Sequence, residues 1–536
     1  MSVRALLCLL TLLLGCSRGA STEVPASFLR LAGVDEVPTL DPALGYDTTS
    51  WFFEQMLFNT LLDYDDHGAL IPELARSWVR SSDGLVYTFD LRDDVRFSNG
   101  RDLLAADVKF SVERVLTPGT RSQGIEFFTT IAGAADFVAG RAGEVKGLRV
   151  IGEHQLRIEL ERFDPLLLHK LALQFAAVVP HEAVTKWGED FTRHPIGSGP
   201  FVLQQWSTGQ RLLLARNPTY FMSGWPRLEG VARAVGLNDQ LAWFKYEAGE
   251  LDVTSIPPPE FPRVSRDPRY TPLLRKETSL RTQYLGLNCE VAPFTDVRVR
   301  RAMNHAINKR KLLRLINDRG VAATRILPPN MPGYDPDVPG YDFDPVRARA
   351  LLTEAGYASG VETTLWVRSD EDSRRLAQSI QQDLADVGVH AEIQPIAWGP
   401  FLQAVKTPSL VPMFLLGWEA DFPDPSNFLE VLFHSKNRGS NNDAFFSDAE
   451  VDVLLDRAAL TVEPAERLEL LQRAERLILA QAPWVPLYHP VAYQVVLPRV
   501  ENFRLNPLRP ARLDDVWVSD GPSEVSAPPQ LGRPAS

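Results

Sequence analysis

Thr363 to Ile396 reads TTLWVRSDEDSRRLAQSIQQDLADVGVHAEIQPI. The apolar run Thr363–Arg368 predicts a strand, Ser373–Val387 a helix stopped by Gly388, and Val389–Ile396 a second strand. Another strand is predicted to end at Trp418, followed by helices from about Ser447 and Pro464. Strands separated by helices of this length argue for a largely parallel, doubly wound α/β sheet. In such sheets ligands gather beyond the carboxyl ends of the strands.

That rule draws attention to Gly417–Leu429, GWEADFPDPSNFL, which follows the apolar run VPMFLLGW. Several carboxylates crowd the point where a buried strand leaves the core. Acids there are costly unless water, a cation or a backbone end meets them. Asp421 is the candidate ligand contact. Asp424, in Asp424-Pro425-Ser426, has the chemistry of a helix start.

Upstream of the quoted stretch the same grammar continues. PFTDVRVRRAMNHAINKRKLLRLI reads as one helix, with Asp296 as its N-cap. FDPVRARALLTEAGY has Asp344 as cap, Pro345 at the first helical position and Gly356 as stop. Before about Gln283 the text is mixed. GLVYTFDLR alternates like a half-buried strand, and Asn99-Gly100 marks a tight turn. AADVKFSVERVL reads as a helix with Asp107 near its start, and LRVIGEHQLRIEL as a hairpin.

The bulk numbers set limits on class. The chain has 536 residues, 45% hydrophobic and 23% charged, enough for two or three cores in a globular protein. A net charge of −12 argues against a nucleic-acid surface. The N-terminus MSVRALLCLLTLLLGCS carries Arg4 and then an apolar run from Ala5 to Gly15. As a helix that run rises about 16 Å, too short for a bilayer core of roughly 30 Å. It reads as a signal peptide over residues 1–15. LLGC resembles a bacterial lipobox, which would make Cys16 the acylated first residue of the mature protein. Leu14 is unusual in that position, and ordinary cleavage a few residues later is the alternative. With Cys8 removed and Cys16 acylated, Cys289 stands alone, and in YLGLNCEV it reads as a buried small hydrophobe. The Pro/Ser/Gly-rich tail over 519–536 is expected to be disordered.

Enzyme chemistry has little to stand on. Walker loop, GxGxxG, GxSxG elbow and CxxC are all missing. HEAVT at His181 begins like a zinc-peptidase helix but has Thr185 where the second histidine belongs. Nine scattered histidines form no local metal set. GSGPF, Gly197–Phe201, lacks the lysine of a phosphate loop. No catalytic residue, cofactor or metal site is expected.

Six stretches, in order, resemble the extracytoplasmic solute-binding proteins of family 5, the peptide/nickel class serving ABC importers. They are LDPALGYDTTSWFFEQMLFNTLLDYDDHGALIPELARSW, DGLVYTFDLRDDVRFSNGRDLLAADVKFSVERV, PIGSGPFVLQQW, NPTYFMSGWPRLEGV, YEAGELDV and QYLGLNCEVAPFTDVRVRRAMNHAIN. The resemblance runs from about residue 28 to 518.

It implies a two-lobe periplasmic-binding-protein clamshell of type II with an extra inserted subdomain. Lobe 1 would be discontinuous, over 16–67, 187–283 and 485–518. The insertion would be 68–186 and lobe 2 would be 284–484. In peptide-binding members an aspartate at the position of Asp421 accepts the ligand's α-ammonium group, and an arginine at that of Arg368 holds its carboxylate. The acidic run RSDEDSRR departs from that branch and could itself pair with Arg368. Ser198 and Gly199 could offer backbone donors, Trp398 and Trp418 could stack on the ligand, and Tyr46 could line the first lobe's wall.

The implied protein is a monomeric, lipid-anchored periplasmic receptor. It would deliver peptides to an ABC permease with its ATPase subunits. Nickel chelates, haem, glutathione or sugars are the alternative ligands within the family. An exported hydrolase is the alternative from another class.

Overall fold

A computed structural model describes residues 24–66, 68–508 and 512–519. The signal-peptide and Cys16 readings lie outside these residues, as does all of the tail except Ser519. The quoted stretch forms strand Val361–Arg368, helix Glu371–Ala385 and strand Val389–Ile396, the two strands parallel and in register from Val361–Val389 to Arg368–Ile396. The helix starts two residues earlier than its pattern suggests because Asp370 caps it. The Asp370 carboxylate accepts the Ser373 N–H at 2.9 Å, and Glu371 and Asp372 lie in the positive first turn. Leu376, Ala377, Ile380 and Leu384 form its buried stripe against Val361, Leu365, Val367, Val389 and Ala391. Each large aliphatic side chain so buried contributes roughly 1.5–3 kcal/mol. Gly388, at φ +90°, makes the turn into the next strand.

The sheet is less parallel than the alternation of elements implies. Met413–Glu419 is parallel to Val361–Arg368, through Leu365–Met413 and Trp366–Phe414. Beyond it Arg281–Leu287 and then Trp484–Val496 are antiparallel to their neighbours. The parallel strands are those joined by helical crossovers, whereas Arg281–Leu287 enters from the first half of the chain and needs no such crossover. The helix expected over Pro293–Ile316 is two: Val297–Ala306, capped by Asp296, and Lys309–Leu315. Asn308 interrupts them, accepting the Lys311 N–H at 3.1 Å while its own N–H goes to Asp383.

Two further four-stranded sheets precede this one. Phe28–Gly33 pairs with Gly230–Val235, then Arg211–Arg216 and Phe201–Ser207. Ala75–Arg80, Val86–Leu91, Gln155–Glu159 and Leu148–Gly152, in that spatial order, form an antiparallel sheet. Strand Trp484–Val496 connects the halves of the molecule. Its first part pairs with Arg281–Leu287 and its last with Leu274–Thr278 and Val253–Ser255. A register shift at Gln283–Tyr284 bends the pair where it passes from one half to the other. Among the described residues no helix is long and apolar enough to cross a membrane.

Candidate ligand-binding site

A cavity of about 280 Å³ lies between the first half of the chain and the end of strand Met413–Glu419. One wall comes from helix Thr48–Leu57. Phe53, Met56 and Leu57 point into the core, which leaves Thr48, Trp51 and Gln55, spaced for one helical face, toward the cavity. Asp47 fixes the start of that helix, accepting the Thr49 and Ser50 N–H groups at 3.0 and 2.9 Å. The Trp51 indole N–H donates to the Gly45 carbonyl at 2.9 Å and ties the preceding loop to the helix. Tyr46 packs on Trp51 and Phe175 at ring separations of 5.7 and 5.3 Å. Tyr64, Leu173 and Gln174 complete this side.

The opposite wall is Glu419, Ala420 and Asp421. Ala420 N–H donates to the Leu280 carbonyl at 2.9 Å, which holds the strand end. Asn427, from helix Ser426–Phe433, ties the strand end to the turn beyond it. Its side-chain oxygen accepts the Trp418 indole N–H at 3.0 Å and the Asp421 N–H at 3.3 Å, and its amide donates to Asp421 Oδ2 at 3.2 Å. Burial raises the pKa of the Asp421 carboxyl, the Asn427 bond opposes that rise and neighbouring Glu419 adds to it. Among the described residues Asp421 has no ion-pair partner. Burial and the nearby Asp421 push the Tyr46 phenol up to about 12.

Asp424 is the opposite case. Arg467 grips it with two bonds of 2.7 and 2.8 Å, and Ser426 donates its hydroxyl and N–H at 2.6 and 2.9 Å. Burial alone would raise its pKa, but those donors hold the Asp424 carboxyl below the usual range. It anchors the helix start. Next to it, His169 stacks on Phe422 at 5.8 Å and receives or gives a bond to the Tyr64 hydroxyl at 2.9 Å, so the two walls touch there.

The remaining candidates divide. Tyr46 lines the cavity. Trp418 orients Asn427 rather than offering its indole N–H to a ligand. Arg368 is absent from this cavity's lining. Its Nε is 3.3 Å from Asp370 and its guanidinium sits 5.5 Å from the Trp398 ring centre. Trp398 is 46% exposed and stacks on Phe401. Ser198 and Gly199 do not reach the ligand side. Ser198 is fully buried and donates to Asn59 at 2.9 Å, while the Gly199 N–H is taken by the Leu57 carbonyl at 3.0 Å. A Cβ on Gly199 would lie 2.5 Å from the Met56 carbonyl oxygen, so glycine is required for close packing behind the helix. Cys289 is a half-buried thiol pushed up to about 11 by burial. Among the described residues no group of three His, Cys, Asp or Glu could hold a metal ion.

Sequence reasoning missed Asp47, Trp51, Gln55, Tyr64, Gln174 and Glu419. Local sequence carried no signal for them beyond the stretch 40–78, where four of them fall.

Two lobes joined by shared strands, with a partly apolar cavity between a helix face and a strand end, define a binding protein that encloses a small solute. The chain belongs to the bacterial extracellular solute-binding proteins of family 5, whose middle-region profile matches residues 69–440. It is 31% identical over 487 residues to heme-binding protein A of Haemophilus influenzae, covering 87% of this chain and 88% of that one. It is also 31% identical over 471 residues to di/tripeptide-binding protein 2 of Pseudomonas aeruginosa, covering 84% and 87%. The solved structure of HbpA2 from Haemophilus parasuis superposes with a TM-score of 0.80 at 27% identity, covering 92% of this chain and all of that one.

Proposed function

We propose that the protein captures peptides outside the cytoplasmic membrane and hands them to an ABC permease and its ATPase subunits, without turnover. The observation that carries this reading is Asp421: a desolvated carboxylate at the mouth of a strand, with no cation partner among the described residues. A peptide α-ammonium would neutralise it through a charge-assisted bond. The relative named for di- and tripeptides agrees with a ligand of that size.

The ligand's carboxylate goes to Arg368 in this reading. The parallel register that sets Trp366 beside Phe414 brings the ends of both strands out on one edge of the sheet, and Asp370 is exposed enough, like Arg368 itself, to give way to a ligand carboxylate. Trp398 flanks that arginine and Tyr46 flanks the amine. Lobe 1 comprises 16–67, 187–283 and 485–518, with 68–186 inserted and 284–484 as lobe 2. The hinge lies in the two strands that pass between them. Cys16 acylation keeps a monomeric receptor at the membrane, where two or three acyl chains suffice.

Titration calorimetry with a cognate peptide tests the site. Asp421→Asn keeps shape and should weaken binding by roughly 30-fold to several thousand-fold, the range for truncating one partner of a buried charge pair. N-acetylating the peptide should weaken wild type comparably. Intact affinity for the acetylated peptide would remove Asp421 as the amine site. For the anchor, Cys16→Ser should release the protein from the membrane fraction; unchanged association would exclude acylation there.

A further inference from the structure

The first half of the chain repeats, with opposite charge, the arrangement that places Asp421. Strands Phe28–Gly33 and Gly230–Val235 are parallel and in register from Phe28–Gly230 to Gly33–Val235, so both run out at one edge of their sheet. A second cavity, of about 370 Å³, lies at that edge. Leu31 and Gly33 line it, with Thr48 and Phe52 from helix Thr48–Leu57, and Ser255 and Gln494 from the paired strands Val253–Ser255 and Trp484–Val496. The carboxyl ends of parallel strands are where ligands gather in such sheets.

Arg233 is the cation of this cavity. Its guanidinium carbon stands 5.8 and 5.4 Å from the ring centres of Phe52 and Phe53, which fix its position. The side chain is half-buried, and among the described residues it forms no ion pair. Burial lowers its pKa, and Asp35 and Asp47, both beyond ion-pair distance, oppose that fall only in part. Asp239 also lines the cavity, but it is exposed at the start of helix Asp239–Glu247 and does not bridge to Arg233. Room for the guanidinium comes from Gly33. A Cβ there would overlap Arg233 Nη2, while Gly33 has no left-handed φ that would itself call for glycine.

The two cavities adjoin at Thr48, which lines both. One offers a carboxylate without a cation and the other a cation without a carboxylate, and a peptide carries the complement of each at its two ends. An extended chain reaches at most about 3.3–3.6 Å per residue, so a dipeptide stays near its amine site, whereas four residues reach about 13 Å. A guanidinium meets a carboxylate through two parallel bonds, which suits a fixed, partly desolvated arginine. We infer that Arg233 receives the terminal carboxylate of peptides of three or four residues whose amine lies at Asp421, leaving Arg368 to dipeptides. The inference rests on the peptide reading and extends it to the length of the ligand.

Calorimetry on the full purified protein tests it with Ala-Ala and Ala-Ala-Ala-Ala, each as free acid and as C-terminal amide. In wild type, amidating the tetrapeptide should cost on the order of tenfold or more in affinity. Arg233→Met keeps a stem on the two rings and should bring the tetrapeptide's acid-to-amide ratio near one, with the dipeptide's ratio unchanged. Gly33→Ala keeps the charge but pushes the guanidinium aside, and should lower the tetrapeptide ratio in part. Its clash is with the end of a flexible side chain, so the fold should hold, and melting curves check both variants. A tetrapeptide ratio that Arg233→Met leaves unchanged overturns the inference. So does equal binding of tetrapeptide acid and amide by wild type, or failure of the tetrapeptide alone to bind. If amidation matters for neither peptide while N-acetylation abolishes both, the amine site stands and only the role of Arg233 falls. If neither peptide binds, the peptide reading falls and this one with it.

Discussion

Asp421 and Asp424 stand three residues apart after the same strand, and the protein treats them in opposite ways. Asp424 is closed: two arginine bonds and two serine bonds meet its oxygens, and burial is more than offset. Asp421 is open: one amide bond from Asn427 supports it, and burial raises its pKa. The difference is between an acid satisfied inside the fold and one that no cation meets among the described residues, a place that the proposed peptide amine would take. Local sequence does not separate them, since both precede a proline within two positions. What separates them is Arg467, on helix Pro464–Gln481, which reaches one and not the other.

The largest expected effect breaks the closed site. Arg467→Met would strand the Asp424 carboxylate, and urea unfolding should show a loss of about 3–5 kcal/mol. Asp421→Asn should leave stability at neutral pH unchanged or slightly raised, because it removes a buried charge that no cation among the described residues neutralises. A comparable loss from both variants would erase the contrast.

The second effect falls on binding and reverses the order. Asp421→Asn should cost on the order of 2–5 kcal/mol of peptide affinity. A variant that keeps a cation at the closed site, Arg467→Lys, should cost less affinity than that, since Arg467 does not line the cavity.

Acid sharpens the comparison further. The Asp421 carboxyl is raised, so its ionised form is lost early as pH falls, from above its ordinary value of 3.8. Affinity for an ammonium ligand should decline over that window, approaching about tenfold per pH unit once Asp421 is protonated. Calorimetry from neutral pH downward would show it, and a flat profile would deny Asp421 a role. The stability signs differ. Asp424 has a depressed pKa, so its contribution is present above its unfolded value and lost as pH falls through the folded one. Asp421 has a raised pKa, so its contribution is present at low pH and lost as pH rises through the folded value.

The smallest expected effect concerns the wall opposite. Trp51→Phe removes the bond to the Gly45 carbonyl while keeping an aromatic ring. Melting in the absence of ligand should show a loss of about 0.5–1.5 kcal/mol. Peptide affinity should fall only a few-fold by calorimetry.

Elements were legible where one side chain near a boundary decides it. Asp296, Asp344 with Pro345, Gly356 and Gly388 act within a turn of themselves, and the structure uses each as its type suggests. The break at Asn308 was not legible, because its deciding partner, Asp383, is 75 residues away. Strand direction failed for a similar reason. Helices between strands report on crossovers, and Arg281–Leu287 is reached without one.

At the cavity, the sequence by itself determined that an acid would stand at the end of the strand Met413–Glu419, since apolar runs and their polar exits are local facts. Tyr46 and Asp421 lie in stretches that resemble one family, so both are legible as candidates without any contact. Only the tertiary structure decided that Ser198 and Gly199 pack behind the wall and that Asp424 is already paired. It alone brought Asp47, Gln174 and Glu419 to one cavity. Those outcomes depend on which distant side chain fills or leaves a coordination position, and that is settled by packing between segments far apart in the chain, 43 residues for Asp424 and Arg467 and 139 for Ser198 and Asn59.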